Sequence, residues 1–169
     1  MANVDAPHGF RPLYNYYGGE VGRPNSWSLA AANALIGIGD ILVKTAAGAV
    51  DRHAAGEDGD LVVGVAAQAA AASAGGTILV WDNPGIVYEA QTDNGATVLI
   101  AQTAMHLNSD VVVAAAVNGI SQMEIDESLG ATTNTLTVKI LRLWPGANNA
   151  FGEFNRLECM MNVYQVEGI

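Results

Sequence analysis

Three consecutive stretches decide the fold class: Thr77-Ile78-Leu79-Val80-Trp81, then Asp82-Asn83-Pro84-Gly85, then Ile86-Val87-Tyr88-Glu89-Ala90-Gln91-Thr92. The first is rich in β-branched and aromatic residues, which suit a pleated, buried surface. The second is a turn with a mechanism: Pro84 presets φ and Gly85 accepts φ > 0. The third alternates Ile86, Tyr88 and Ala90 against Val87, Glu89 and Gln91, which predicts a half-buried strand. Asp93-Asn94-Gly95 is a strong hairpin signal, leading into a further strand over 97–101.

The same alternation of apolar run and turn extends in both directions. Upstream, Ile36 to Lys44 is apolar, with a bend marked by Gly37, Gly39 and Asp40. Ala46-Ala47-Gly48-Ala49 makes a tight connection to Val50. A polar loop follows over 53–60, and Leu61 to Ala67 has the composition of a buried strand. Downstream come Val111 to Val117, the turn Asn118-Gly119, and alternation over Gln122 to Asp126 and over Leu136 to Trp144. The turn Pro145 to Asn149 leads to a final strand within Glu153 to Val166, carrying Phe154, Leu157, Cys159, Met161 and Val163. Runs at roughly 8–12 residue spacing, with 19 glycines spread along the chain, predict an all-β sandwich or barrel. Ala66 to Ala74 has high helix propensity. Nine residues are marginal as a helix and Gly75-Gly76 ends them, so a small-residue connection or one helical turn is expected. A second short helical turn is expected over Ala101 to Leu107.

A chain of 169 residues, 50% apolar and 14% charged, is one domain, or one domain plus an arm, and is not disordered. The formal charge of −10 argues against gripping a nucleic-acid backbone and against an anionic membrane surface. The single cysteine excludes a disulfide framework within the chain. The opening residues have neither a basic region nor an apolar run, so no signal peptide is expected. The uncharged stretch from Leu61 to Trp81 tempts a membrane-spanning reading. Its alanines, Gln68, Ser73 and paired glycines, flanked by acids, argue against it.

Residues 1–27 differ from 28–169. They hold Pro7, Pro12 and Pro24 with Phe10, Tyr14, Tyr16, Tyr17 and Trp27. Proline resists helix interiors and central strands, which predicts an extended N-terminal arm. The domain proper is then 28–169, with Phe10, Pro12, Tyr14, Tyr16 and Tyr17 as candidate protein-interface residues. The alternative is a first strand and loop packed on the chain's own domain.

Motifs for chemistry are weak. Gly119-Ile120-Ser121-Gln122-Met123 lacks the second glycine of a nucleophile elbow. No glycine precedes Lys44 or Lys139, as a phosphate loop requires. Gly37-Ile38-Gly39 lacks the third glycine of a dinucleotide fingerprint. His8, His53 and His106 share no metal-ligand spacing. Glu57, Asp58 and Asp60 lack the ligand spacing of a calcium loop. Cys159, between Leu157 and Met161, is expected to be a buried, inert thiol. The reading expects no catalytic residues, no metal and no cofactor.

Several stretches resemble structural proteins of tailed double-stranded DNA phages. The opening Met1 to Pro12 looks like the start of such proteins. The order Gly39-Asp40-Ile41-Leu42-Val43, Gly48-Ala49-Val50 and Gly59-Asp60-Leu61-Val62-Val63-Gly64-Val65-Ala66 is similar to capsid cement, or head decoration, proteins. So are Gly76 to Val80, Asp82 to Gly85, Val138 to Trp144, Pro145 to Asn149 and Glu158 to Gln165. The resemblance implies a β-barrel or jelly-roll-like module on the outer surface of the virion. It would be assembled in the host cytoplasm, as a dimer or trimer that clamps neighbouring major capsid proteins, and would contact neither nucleic acid nor membrane. The competing expectation is a tail- or head-fibre module recognising host carbohydrate, for which Trp81-Asp82-Asn83 is the candidate cluster.

Overall fold

The computed structural model describes residues 3–55, 62–94, 101–127, 131–132 and 135–162. Among them the chain is all-β: β1 (Arg11–Asn15), β2 (Asn25–Ser28), β3 (Ile41–Lys44), β4 (Val50–Arg52), β5 (Val62–Ala66), β6 (Thr77–Trp81), β7 (Ile86–Gln91), β8 (Asn108–Ser109), β9 (Val111–Val112), β10 (Glu124–Ile125), β11 (Val138–Leu143) and β12 (Arg156–Met161). A single 3₁₀ turn, Gln102–Ala104, falls in the expected 101–107 window. No described helix is long and apolar enough to cross a membrane.

Two five-stranded antiparallel sheets form, ordered β1-β7-β12-β11-β8 and β2-β6-β5-β3-β4, with β9 and β10 as a separate pair. This arrangement is compatible with a barrel or jelly-roll-like domain. β6 and β7 adjoin in sequence but lie in different sheets. The turn between them therefore carries the chain across the sandwich rather than closing a hairpin. Asn83 Oδ1 accepts from Gly85 N at 2.9 Å, and the Asn83 carbonyl accepts from Ile86 N at 3.1 Å.

The larger core lies between the sheets. It joins Ile41, Val43, Val62 and Val65 to Ile86, Tyr88, Ile140, Leu157 and Cys159. A second cluster, with Leu29, Ile36, Leu42, Val50, Val63, Ile78 and Val80, lies on the other face of the β2-β6-β5-β3-β4 sheet. β5 feeds both clusters, which is why it reads as one continuous apolar run. Gly64 is obligatory there: at φ 158°, a Cβ would stand 2.1 Å from the Trp81 carbonyl oxygen. The second cluster is roofed by 29–38 and the alanine-rich segment. Ile36 exchanges backbone hydrogen bonds with Ala70 at 2.9 and 3.0 Å. Buried Asn33 donates to the Ala71 carbonyl at 2.8 Å and accepts from Ala74 N at 3.0 Å. The alanine segment is thus the expected small-residue connection. Its backbone groups are spent on Ile36 and Asn33 rather than on a helix.

Several expectations are corrected. Residues 1–27 do not stand off as an arm: β1 pairs with β7, β2 pairs with β6, and the 27/28 boundary falls inside β2. Pro12 is tolerated because β1 is an edge strand, where a missing N–H leaves no internal ladder bond unmade. β7 is buried on both faces, not one. The strand within 111–117 is two residues long, and the final strand begins at Arg156, with Phe154 held before it at φ 53°. Glu57, Asp58 and Asp60, the hairpin glycine Gly95 with 97–100, and Val163 onward lie outside the described residues.

Candidate functional site

The outward side of β7 carries Val87, Glu89 and Gln91, and that of β12 carries Arg156 and Glu158. Glu89 and Glu158 are register partners across the two strands. Two carboxylates directly opposite one another repel unless each is given a cation. The flanking strands supply them. Arg11 on β1, opposite Glu89, pairs with it; Arg156 Nη1 donates to Glu89 Oε1 at 3.0 Å, and His8 Nε2 lies 3.7 Å from the same oxygen. Arg142 on β11, opposite Glu158, donates from Nε at 2.9 Å and from Nη2 at 3.2 Å, and the Tyr14 hydroxyl donates to the same carboxylate. The result is a row across four strands: Arg11, Glu89, Glu158, Arg142. Arg156 is further fixed by stacking 4.0 Å over the Trp144 ring.

Glu89 has no exposed surface. Burial pushes its carboxyl up, but the neighbouring His8, Arg11 and Arg156 outweigh that, leaving it below its ordinary value. These groups satisfy one another. That is the signature of a structural ion network, not of a general acid or base poised near neutrality.

A different surface is left unsatisfied. Asn118 and Gly119 take φ 51° and 77°, the left-handed pair that a two-residue I′ turn requires. Val117 and Ile120 then exchange both backbone hydrogen bonds at 2.9 Å. Ile38 lies alongside, donating to the Gly119 carbonyl at 2.8 Å and accepting from Ser121 N at 2.9 Å. The three apolar side chains stay exposed: Ile38 by 44%, Val117 by 55% and Ile120 by 41%. Ile38 and Ile120 line an apolar groove of about 260 Å³, with Pro12, Gly39, Ala66 and Trp81 also in its walls. The backbone of the turn is hydrogen-bonded on both sides, and the apolar side chains point to its surface.

The five sequence-predicted interface residues are not brought together. Phe10 is 1% exposed and belongs to the main core, so it is corrected from surface anchor to core residue. Its amide, donating to the Gly39 carbonyl at 2.9 Å, turns the ring inward. Tyr14 is tied into the ion row, where burial and then Glu158 raise its hydroxyl pKa. Pro12 lines the apolar groove. Tyr16 and Tyr17, exposed by 58% and 81%, pack edge to face at 5.6 Å past the other end of β1. Ile38, Val117 and Ile120 were missed. The signal was present in Val117-Asn118-Gly119-Ile120, apolar residues on both sides of an Asn-Gly turn.

The remaining candidates are structural. Asp82 accepts at Oδ1 from Asn25 Nδ2 and at Oδ2 from the Trp27 indole N–H, each at 2.9 Å, so the Trp81-Asp82-Asn83 cluster braces β2 against the end of β6. Buried Asp40 accepts from Gly37 N at 2.8 Å and faces Arg52 Nε at 3.2 Å. Cys159 is fully buried, and burial pushes its thiol pKa far up, which leaves no thiolate to react. Among the described residues, no three His, Cys, Asp or Glu side chains converge to hold a metal ion. Comparison with protein-family models, curated proteins and solved structures finds no match to this chain.

Proposed function

We propose that this chain is a structural protein of a tailed-phage virion. It decorates the outer surface of the head and clamps neighbouring major capsid proteins, as a dimer or trimer, with no catalytic step and no cofactor. The observation that supports this reading most is the exposed apolar surface of Ile38, Val117 and Ile120 beside the Pro12–Trp81 groove. Apolar side chains clustered on a hydrogen-bonded hairpin favour a protein partner over water, since covering the exposed half of each contributes about 1 kcal/mol. A net charge of −10 keeps the free protein soluble and away from packaged DNA. Several such contacts per oligomer add through avidity, so each can be weak.

The test is uptake from solution by expanded heads of the phage that encodes this chain, assembled without it. The wild-type protein is expected to co-sediment with the heads and to raise their resistance to heat. Ile38→Asp with Ile120→Asp should melt cooperatively yet lose at least tenfold in uptake, the equivalent of about 1.4 kcal/mol. Heads that ignore the wild-type protein would overturn the reading.

A further inference from the structure

We propose that residues 3–8 form a proton-gated strap, which lies across the strand ends where β7 finishes and β12 begins when Glu124 is neutral and lifts when Glu124 is charged beside Asp5. The inference concerns the free protein and does not depend on what the protein decorates.

The strap is fastened at its two ends and clamped in the middle. At one end Asn3 Nδ2 donates to the carbonyls of Ala150 and Glu153 at 2.9 and 2.8 Å, and Asn3 Oδ1 accepts from Ala150 N at 3.2 Å. At the other end Gln122 Nε2 donates to the Pro7 carbonyl at 3.3 Å. The clamp is Gln91, at the end of β7. Its Oε1 accepts from Ala6 N at 3.1 Å. Its Nε2 stands 3.3 Å from Asp5 Oδ1 and 3.3 Å from Glu124 Oε1. One amide nitrogen therefore holds two carboxylates side by side, one on the strap and one on β10.

When both are ionised they repel across a partly buried gap, where the effective dielectric is well below that of water. The other charged groups facing Glu124 add to the repulsion: Asp93, just beyond β7, and Glu127, just beyond β10, are acids, and Gln91 alone opposes them. Burial first, and then Asp5 and Asp93, push the Glu124 carboxyl from 4.5 up to about 7. The sign follows. With the strap down, Glu124 holds its proton more tightly than a free carboxyl does, so docking takes up a proton. Linkage then makes docking firmest at low pH, progressively weaker as pH rises towards about 7, and level above that.

The strap forms one wall of a cleft of about 400 Å³, with Val4, Ala6 and His8 on its side and Gln91, Phe154 and Arg156 opposite. Lifting it would open this cleft and bring water to the Glu89 network beneath. His8, on the same strap, lies 3.7 Å from Glu89, so the contribution of Glu124 has to be isolated by variants.

Amide hydrogen exchange of the full chain, corrected for intrinsic rates, reads the gate directly from about pH 5.5 to about pH 8.5. Protection at Ala6 is expected to fall roughly tenfold over that range, the equivalent of one unit of pKa coupling, while Phe10, bonded to Gly39, stays constant. E124Q should hold Ala6 protected at every pH. Asp5→Asn, on the exposed strap, should do the same and carries the comparison if E124Q misfolds. Flat protection in the wild-type protein would overturn the gate. An unchanged pH dependence in these variants would also overturn it.

Discussion

The two sheets each have a face turned away from the main core, and both faces are covered, by opposite means. On the β2-β6-β5-β3-β4 sheet the cover is apolar: Leu42, Val63, Ile78 and Val80 meet Leu29 and Ile36 from the roofing segment. On the β1-β7-β12-β11-β8 sheet the cover is ionic: Glu89 and Glu158 are buried under Arg11, Arg142, Arg156 and the strap that ends in His8. Burial of apolar surface is non-directional and tolerates imperfect fit. A buried charge tolerates no missing partner. The first cover is therefore expected to lose stability in proportion to volume removed, and the second to fail according to which charge is left alone.

The largest expected effect breaks the ionic side. Arg11→Ala with Arg156→Ala strands the Glu89 carboxylate beneath the strap and should cost about 3–5 kcal/mol in a urea melt. Replacing Arg11, Glu89 and Arg156 together by Met should recover most of that, because a fully apolar cover has no charge to strand. A triple variant as unstable as the double would show that the two covers do not differ in kind. Next in size, Leu42→Ala opens a cavity on the apolar side and should cost about 3 kcal/mol, with no change in the pH dependence of stability.

A smaller effect separates the covers by pH. The Glu89 carboxyl lies below its ordinary value of 4.5 when folded. Its contribution is therefore fully present above that value and is lost as pH falls through the folded pKa. The melting-temperature gap between the wild type and Glu89→Gln should accordingly narrow below about pH 4.5. A gap that widened on acidification would reverse the assigned sign. The smallest effect is at Tyr17. Tyr17→Ala should shift stability by no more than about 0.5 kcal/mol, since the ring is exposed and lies outside both covers.

The apolar cover was legible and the ionic one was not, for a physical reason. Val62 to Ala66 is a continuous apolar run, as a strand packed against apolar side chains on both faces has to be. In β7 the alternation of Tyr88 and Ala90 with Glu89 and Gln91 is indistinguishable from a solvent-facing strand. What buries Glu89 is Arg11 and His8, some 80 residues earlier in the chain, and Arg156, far later, and local pattern carries no trace of such pairings. The N-terminal prolines misled in the same way. Pro12 marks a strand without a neighbour on one side, which reads locally like no strand at all. The exposed apolar surface lay in between. The Asn118-Gly119 turn was evident, but the exposure of Val117 and Ile120 depends on how tightly that hairpin is held beside Ile38.

The most direct test of the docking account is an amide-exchange footprint of the wild-type protein on expanded heads against the free protein. The account predicts new protection at the apolar surface and its groove, around Ile38, Gly39 and Val117 to Ile120, with the roofing segment at Ala70 to Ser73 unchanged. Protection at Ala70 to Ser73 with none around Ile38 and Ile120 would contradict it.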